Sequence, residues 1–198
     1  MTAERLRLVL ATANPHKAAE IAEILSEVVL MPRPRWVPEV EETGTTLEAN
    51  AALKALALVT ATGEPALADD TGLEVMALGG EPGVWSARFA GPGATYADNV
   101  AKLLSALEGV GDRSARFRTV ALVAFPDGRQ VVAEGLVEGA ISSMPRGSGG
   151  FGYDPIFVPE GGGERTFAEM TRDEKNGLSH RGRAFGALAA ALEGLTLP

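Results

Sequence analysis

Two pairs of adjacent acids, each followed by Thr-Gly, are the first residues in this chain whose types and spacing suit chemistry: Glu41-Glu42-Thr43-Gly44 and Asp69-Asp70-Thr71-Gly72. Carboxylate oxygens hold magnesium, which takes few protein ligands, keeps several waters and shares substrate phosphates. At the mouth of a sheet such acids also position an attacking water. Successive strand residues point to opposite faces, so Asp69 and Asp70 address one site only if the chain bends there. Taken singly, each pair also reads as a solvated turn. Asp69-Asp70 does so less, because Leu67, Ala68 and Leu73 around it are apolar.

Four further segments carry polar chemistry. In Thr12-Ala13-Asn14-Pro15-His16-Lys17 a strand turns sharply into a helix. Free N–H groups and the positive dipole end at a helix start attract phosphate. Lys17 adds a full charge there, while His16 reads as a surface residue. Asn50 and Lys54 are four apart and share a helical face, where the lysine either snorkels to water or reaches an anion. Gly147–Pro155 (GSGGFGYDP) matches G-x-G-x-x-G literally, but no clear strand precedes it and Pro155 blocks a following helix, so the dinucleotide-binding reading fails. A glycine-rich loop bearing Phe151 and Tyr153 instead suits close backbone approach and stacking of a ring on a base. Its bland alternative is a surface loop whose aromatics fold into the core. Finally, Ser179 is a candidate N-cap that puts His180 and Arg181, with Lys175 nearby, at a helix start. Cations there oppose the dipole, which an anionic or carbonyl-rich ligand would explain.

The elements that must position these residues begin with a buried strand over Leu6–Ala11 and a helix over Pro15–Val28, with Asn14 as N-cap and Pro15 as first helical residue. A second helix is expected over Leu47–Ala61, opened by a Thr45/Glu48 capping box and buried on most sides. A short strand over Pro65–Ala68 should end at the aspartates. A helix over Ala97–Leu107 follows. Two strands, Phe117–Phe125 and Gln130–Ala133, flank the turn Pro126-Asp127-Gly128-Arg129. Residues 142–164 are rich in Gly, Pro and Ser, with a strand at Pro155–Val158, and a last helix spans Ser179–Glu193. Strands that alternate with helices and then form a hairpin predict an α/β fold with a mixed sheet.

The bulk properties bound the function. The 198 residues suit a single domain, 1–198, and 45% hydrophobic with 22% charged residues is ordinary for a globular protein. A net charge of −8 argues against long nucleic acids as partners, though not against a small anion met by local cations. The absence of cysteine excludes disulfides and thiolate zinc sites. Met1–Leu10 has Arg5 and Arg7 but no long apolar core, and no run of about 18 apolar residues offers a membrane span. A cytoplasmic protein without membrane partners is the expectation.

Taken together and in order, TANPHK at 12–17, EETG at 41–44, NAALKA at 50–55, ADDTGLEV at 68–75, GVWSARFAG at 83–91, GGFGYDPIF at 149–157 and EKNGLSHRGRA at 174–184 resemble the inosine/xanthosine triphosphate pyrophosphatases, also called the Ham1-like family. The resemblance implies a long mixed sheet with two lobes around a central cleft, usually in a homodimer. It implies hydrolysis of non-standard purine nucleoside triphosphates to monophosphate and pyrophosphate, with Mg2+ as cofactor. Asp70 would be the catalytic base or a metal ligand, with Glu41 and Glu42 helping to hold the metal. The 12–17 segment would bind substrate, with phosphate contacts from Thr12, Asn14, Lys17 and Lys54. Thr71 keeps a hydroxyl where many relatives have serine. Phe151 would stack on the purine in a loop with Gly152 and Tyr153, and Asp154, Lys175, His180 and Arg181 would lie near sugar and base. The rival readings are a related pyrophosphatase for other modified nucleotides and a nucleotide-binding sensor without turnover. The acidic pairs argue against the sensor, since carboxylates repel phosphate unless a metal intervenes.

Overall fold

The chain enters on β1 (Arg7–Leu10), whose Leu8, Val9 and Leu10 are all buried. The computed structural model describes residues 5–193, so residues 1–4 of the stretch read for a leader lie outside the described residues. At the end of β1 the chain turns into α1 (Pro15–Ile24) with the expected cap: the Asn14 side chain accepts hydrogen bonds from the His16 and Lys17 amides. The helix stops four residues short of the expected Val28. The Val-Val-Leu-Met run beyond it favours extended backbone and leads into β2 (Val29–Met31), which pairs parallel to β1.

α2 (Leu47–Thr62) starts one residue away from the expected cap: Thr46, not Thr45, accepts from the Ala49 amide. The helix is not buried on most sides either. It buries Leu47, Asn50, Ala51, Ala55 and Leu58, a single stripe, and leaves Leu53 and Leu56 exposed.

β3 (Ala66–Val75) corrects the expectation of a short strand that stops at the aspartates. It pairs parallel to β1 and runs on through Asp69-Asp70-Thr71-Gly72 to Leu73 and Val75. Gly72 lets β4 (Pro82–Gly83) pair antiparallel alongside, since a Cβ at Gly72 would lie 2.8 Å from the Gly83 carbonyl oxygen. α3 (Tyr96–Ala106) is fixed by a capping box between Thr95 and Asp98. β5 (Ser114–Ala124) and β6 (Gln130–Ile141) flank the expected turn, where Gly128 sits at φ +89°. β7 (Phe157–Pro159) pairs antiparallel to β6. α4 (Arg172–Leu178), absent from the sequence reading, precedes α5 (His180–Glu193), and Ser179 between them accepts from the Gly182 amide as expected of an N-cap.

The strand order is β2-β1-β3-β5-β6-β7, with β4 on β3, which makes the expected mixed sheet. The described residues divide into two compact units. One runs to Asp70 and adds Thr119–Gly135 and the chain from Ala184; the other comprises Thr71–Arg118 and Leu136–Arg183. The first has a core around Leu8, Ile21, Leu67, Val123, Phe185 and Leu188. The second packs Leu73, Val75, Leu103, Phe117, Phe157 and Phe167, with the Phe117 and Phe157 rings 4.7 Å apart, edge to face. Among the described residues no helix is long and apolar enough to cross a membrane.

Candidate active site

In the first unit the turn after β1 is already knitted by its own side chains. Thr12 Oγ1 accepts from the Asn14 amide at 3.0 Å, and Asn14 Oδ1 accepts from the amides of His16 at 2.9 Å and Lys17 at 3.3 Å. Ala13, Pro15 and His16 are exposed. Lys17 Nζ lies 3.0 Å from Asp69 Oδ2, whose side chain is only 1% exposed.

The two neighbouring acids each pair with a different lysine, yet the pairs are linked, since the Asp69 charge also acts on Lys54 and the Lys17 charge on Asp70. Asp70 Oδ1 is 3.2 Å from Lys54 Nζ, which also lies 2.8 Å from Glu42 Oε1. Asn50, one helical turn before Lys54, donates to Asp70 Oδ2 at 3.1 Å and accepts from the Gly44 amide at 2.8 Å. It thereby ties the Glu42–Gly44 turn to the aspartate. A Cβ at Gly44 would sit 2.6 Å from that Asn50 oxygen, so the turn needs glycine. The fixed Asn50–Lys54 face is the expected one; the bridging role of Asn50 was not read from the sequence.

Burial pushes the Asp70 carboxyl above its ordinary value. The Lys54 charge opposes this and the Glu42 charge adds to it. Burial pulls the Lys54 ammonium down, but the Asp70, Asp69 and Glu42 charges outweigh it and the net shift is upward. An acid so placed is a better proton acceptor than an exposed one.

No group of three metal-ligating side chains exists among the described residues. Glu42 and Asp70 nevertheless converge on a single cation, the Lys54 ammonium. Two carboxylates at one cationic position fit magnesium, whose remaining ligands are usually phosphate oxygens and waters. Glu41 is exposed and does not take part in this convergence.

The second unit builds a different arrangement. Asp154 Oδ2 accepts from the Phe151 amide at 2.7 Å and from Lys175 Nζ at 2.6 Å. Both charged residues are buried, at 3% and 5% exposure. Gly150, at φ +68°, makes room: a Cβ there would meet Asp154 Oδ2 at 2.1 Å. Lys175 Nζ stands 4.9 Å, and the Arg181 guanidinium 5.4 Å, from the centre of the half-buried Phe151 ring. Arg181 Nη2 also donates to Thr71 Oγ1 at 3.3 Å. Gly152 follows Phe151 at φ +63°.

Two of the residues expected near a ligand are packed into this unit. Tyr153 is buried, donates its hydroxyl proton to the Ser86 carbonyl at 2.9 Å, and has its phenol pKa pushed up by burial. Ser86 itself bridges the Gly83 carbonyl and the Leu73 amide, which gives the GVWSARFAG segment a structural part the sequence reading did not assign. His180 is 2% exposed and stacks on Phe117 at 4.4 Å.

A mixed α/β sheet that carries carboxylate–lysine pairs and an aromatic ring beside two cations is suited to a phosphorylated, ring-bearing anion. Residues 8–191 match the Ham1 family, and the chain belongs to it. It is 49% identical to the dITP/XTP pyrophosphatase of Thermus thermophilus over 192 residues, which is 94% of this chain and 91% of that one. Against the dITP/XTP pyrophosphatase of Desulforamulus reducens it is 53% identical over 186 residues, 90% of this chain and 92% of the other. The solved structure of a Ham1 protein from Coxiella burnetii superposes with a TM-score of 0.87 at 43% identity, covering 96% of this chain and all of that one. The Staphylococcus aureus Ham1 protein gives 0.85 at 40% identity, with 95% and 98% covered.

Proposed function

We propose that this protein is a nucleoside triphosphate pyrophosphatase that hydrolyses non-standard purine nucleotides (dITP, ITP, XTP and dXTP) to the monophosphate and pyrophosphate, and so cleanses the nucleotide pool. The observation that carries the reading is the Asp70–Lys54–Glu42 cluster, in which a buried, proton-accepting carboxylate is paired with a half-buried ammonium in a protein of the Ham1 family. The dITP/XTP pyrophosphatases it resembles support the substrate class.

In this reading water attacks the α-phosphorus, a new P–O bond forms, and the α–β anhydride bond breaks. Asp70 takes the proton from the attacking water. Lys17 and Lys54 hold phosphate oxygens and neutralise the departing pyrophosphate, so no covalent nucleophile is needed. Pyrophosphatases of this family generally need a divalent metal. We assign it as Mg2+, held by Glu42 and Asp70, where it would supply charge neutralisation on the phosphates. Phe151 stacks on the base. Arg181, a donor only, addresses the 6-oxo group shared by inosine and xanthosine. The chain acts as one domain, in a cytoplasmic homodimer, with no nucleic-acid or membrane partner; these assignments rest on the resemblance, the acidic charge and the sequence composition.

A panel of nucleoside triphosphates, with and without magnesium and followed by phosphorus NMR, tests the proposal. Pyrophosphate should be the first product, from inosine and xanthosine substrates before guanosine and adenosine ones, and only with metal. Diphosphate plus orthophosphate as first products would overturn it, and so would binding without turnover in the presence of magnesium.

A further inference from the structure

Tyr96 opens α3 and is 41% exposed, yet its ring lies against Phe151, with centroids 5.9 Å apart and planes tilted by 42°. The two rings are held very differently. Tyr96 stands on a helix start locked by the capping box, where the Asp98 amide donates to Thr95 Oγ1 at 3.2 Å and the Thr95 amide to Asp98 Oδ2 at 2.8 Å. Phe151 stands between Gly150 and Gly152, both at positive φ, where backbone rotation meets little steric resistance. Its amide is tied to Asp154, which fixes the main chain, while the ring meets Lys175 and Arg181 as well as Tyr96. Beside it opens a hollow of about 480 Å³, walled by Val100, Leu104, Pro145, Tyr96 and Phe151 itself. An aromatic ring at the edge of an apolar hollow gains by turning into it unless another group holds it out.

Resting on the reading of Phe151 as the base platform, we infer that Tyr96 is a positioning residue that holds the Phe151 ring out of this hollow and ready to stack. Stacking is indifferent to the base edge, so Tyr96 tightens binding of every purine triphosphate by the same factor and leaves base selection untouched. Aromatic pairs contribute modestly beyond their burial, which corresponds to roughly two- to tenfold in affinity.

The test is pyrophosphate release from inosine and guanosine triphosphates by Tyr96→Ala, Tyr96→Phe, Phe151→Ala and the Tyr96→Ala/Phe151→Ala double variant. Tyr96→Ala should raise KM roughly two- to tenfold, equally for both substrates, with kcat unchanged. Tyr96→Phe should match the parent, and Tyr96→Ala should add nothing once Phe151 is alanine. The inference is overturned by an unchanged KM in Tyr96→Ala, by a fall in kcat alone, by a defect shared with Tyr96→Phe, or by additive effects in the double variant. Phe151→Ala separates the two levels. If it raises KM while Tyr96→Ala does not, only the role of Tyr96 falls. If it leaves KM unmoved, the platform reading falls and the role of Tyr96 with it.

Discussion

The carboxylate–lysine cluster of the first unit and the aromatic cage of the second solve opposite electrostatic problems. In the first, the three carboxylates of Glu42, Asp69 and Asp70 face the two ammonium groups of Lys17 and Lys54. Negative charge is in excess, and a polyphosphate is repelled until a further cation arrives. In the second, the Asp154 carboxylate pairs with Lys175, and Lys175 and Arg181 both stand over the Phe151 ring. Positive charge is in excess and its carriers are largely buried, so this region offers donors to a carbonyl-rich ligand without a metal. Under the proposed function, proton transfer and metal chemistry belong to the first region and recognition to the second.

The largest effect expected from breaking this division is that of Asp70→Asn. Turnover should fall by at least ~10²-fold, because the amide neither accepts the proton nor serves well as a metal ligand. Its stability should not fall. The Asp70 pKa is raised in the folded state, so its contribution to stability is present below the ordinary carboxylate pKa and is lost as pH rises through the raised value. At neutral pH the buried charge costs stability, but the variant also removes the carboxylate that raises the Lys54 pKa, so the two effects oppose and the thermal midpoint should stay near the parent's. A lowered midpoint together with lost activity would mean a structural role.

Next comes Arg181→Ala, which probes the recognition region. A buried donor left facing the adenine amino group costs about 1–3 kcal/mol. Removing the arginine should therefore lower kcat/KM for the inosine substrate far more than for the adenosine one, narrowing the preference by roughly tenfold to a hundredfold. Equal losses on both substrates would make Arg181 a phosphate or structural residue instead.

The smallest effect belongs to Tyr153→Phe. It removes one hydroxyl whose proton goes to the Ser86 carbonyl. Denaturant unfolding should show a loss of about 0.5–1.5 kcal/mol with KM and kcat near the parent. A large rise in KM with unchanged stability would return Tyr153 to the ligand.

What was legible in the sequence is what local chemistry decides. Asn14 followed by Pro15 is a cap and a first turn whatever surrounds them, and the Pro126–Arg129 turn is equally self-contained. The cap of α2 failed by one position because Thr45 and Thr46 offer the same hydroxyl, and only the helix register chooses between them. β3 was cut short because Asp-Asp-Thr-Gly carries turn composition. Ion pairs to Lys17 and Lys54, distant in sequence, keep those acids within the strand. The same cause hid the role of Asn50, whose two partners lie in other segments. Tyr153 was expected at the ligand because it stands beside Phe151; its burial and its bond to the Ser86 carbonyl come from a partner 67 residues away in the chain, which local composition does not reveal.

Asp69 and Asp70 differ in their nearest ammonium, Lys17 for the first and Lys54 for the second. They are chemically alike, and each holds its own position on an alternating backbone. Inserting or deleting one residue within β3 ahead of them would exchange the two, with every apolar neighbour turned over at the same time. Between Ala66 and Asp69 the chain therefore has a fixed length. The Gly63–Glu64 bend just before the strand, by contrast, is exposed at Glu64 and closes the preceding helix with a glycine at φ +72°. Length variation among relatives of this protein should collect in that bend and stop where the strand begins.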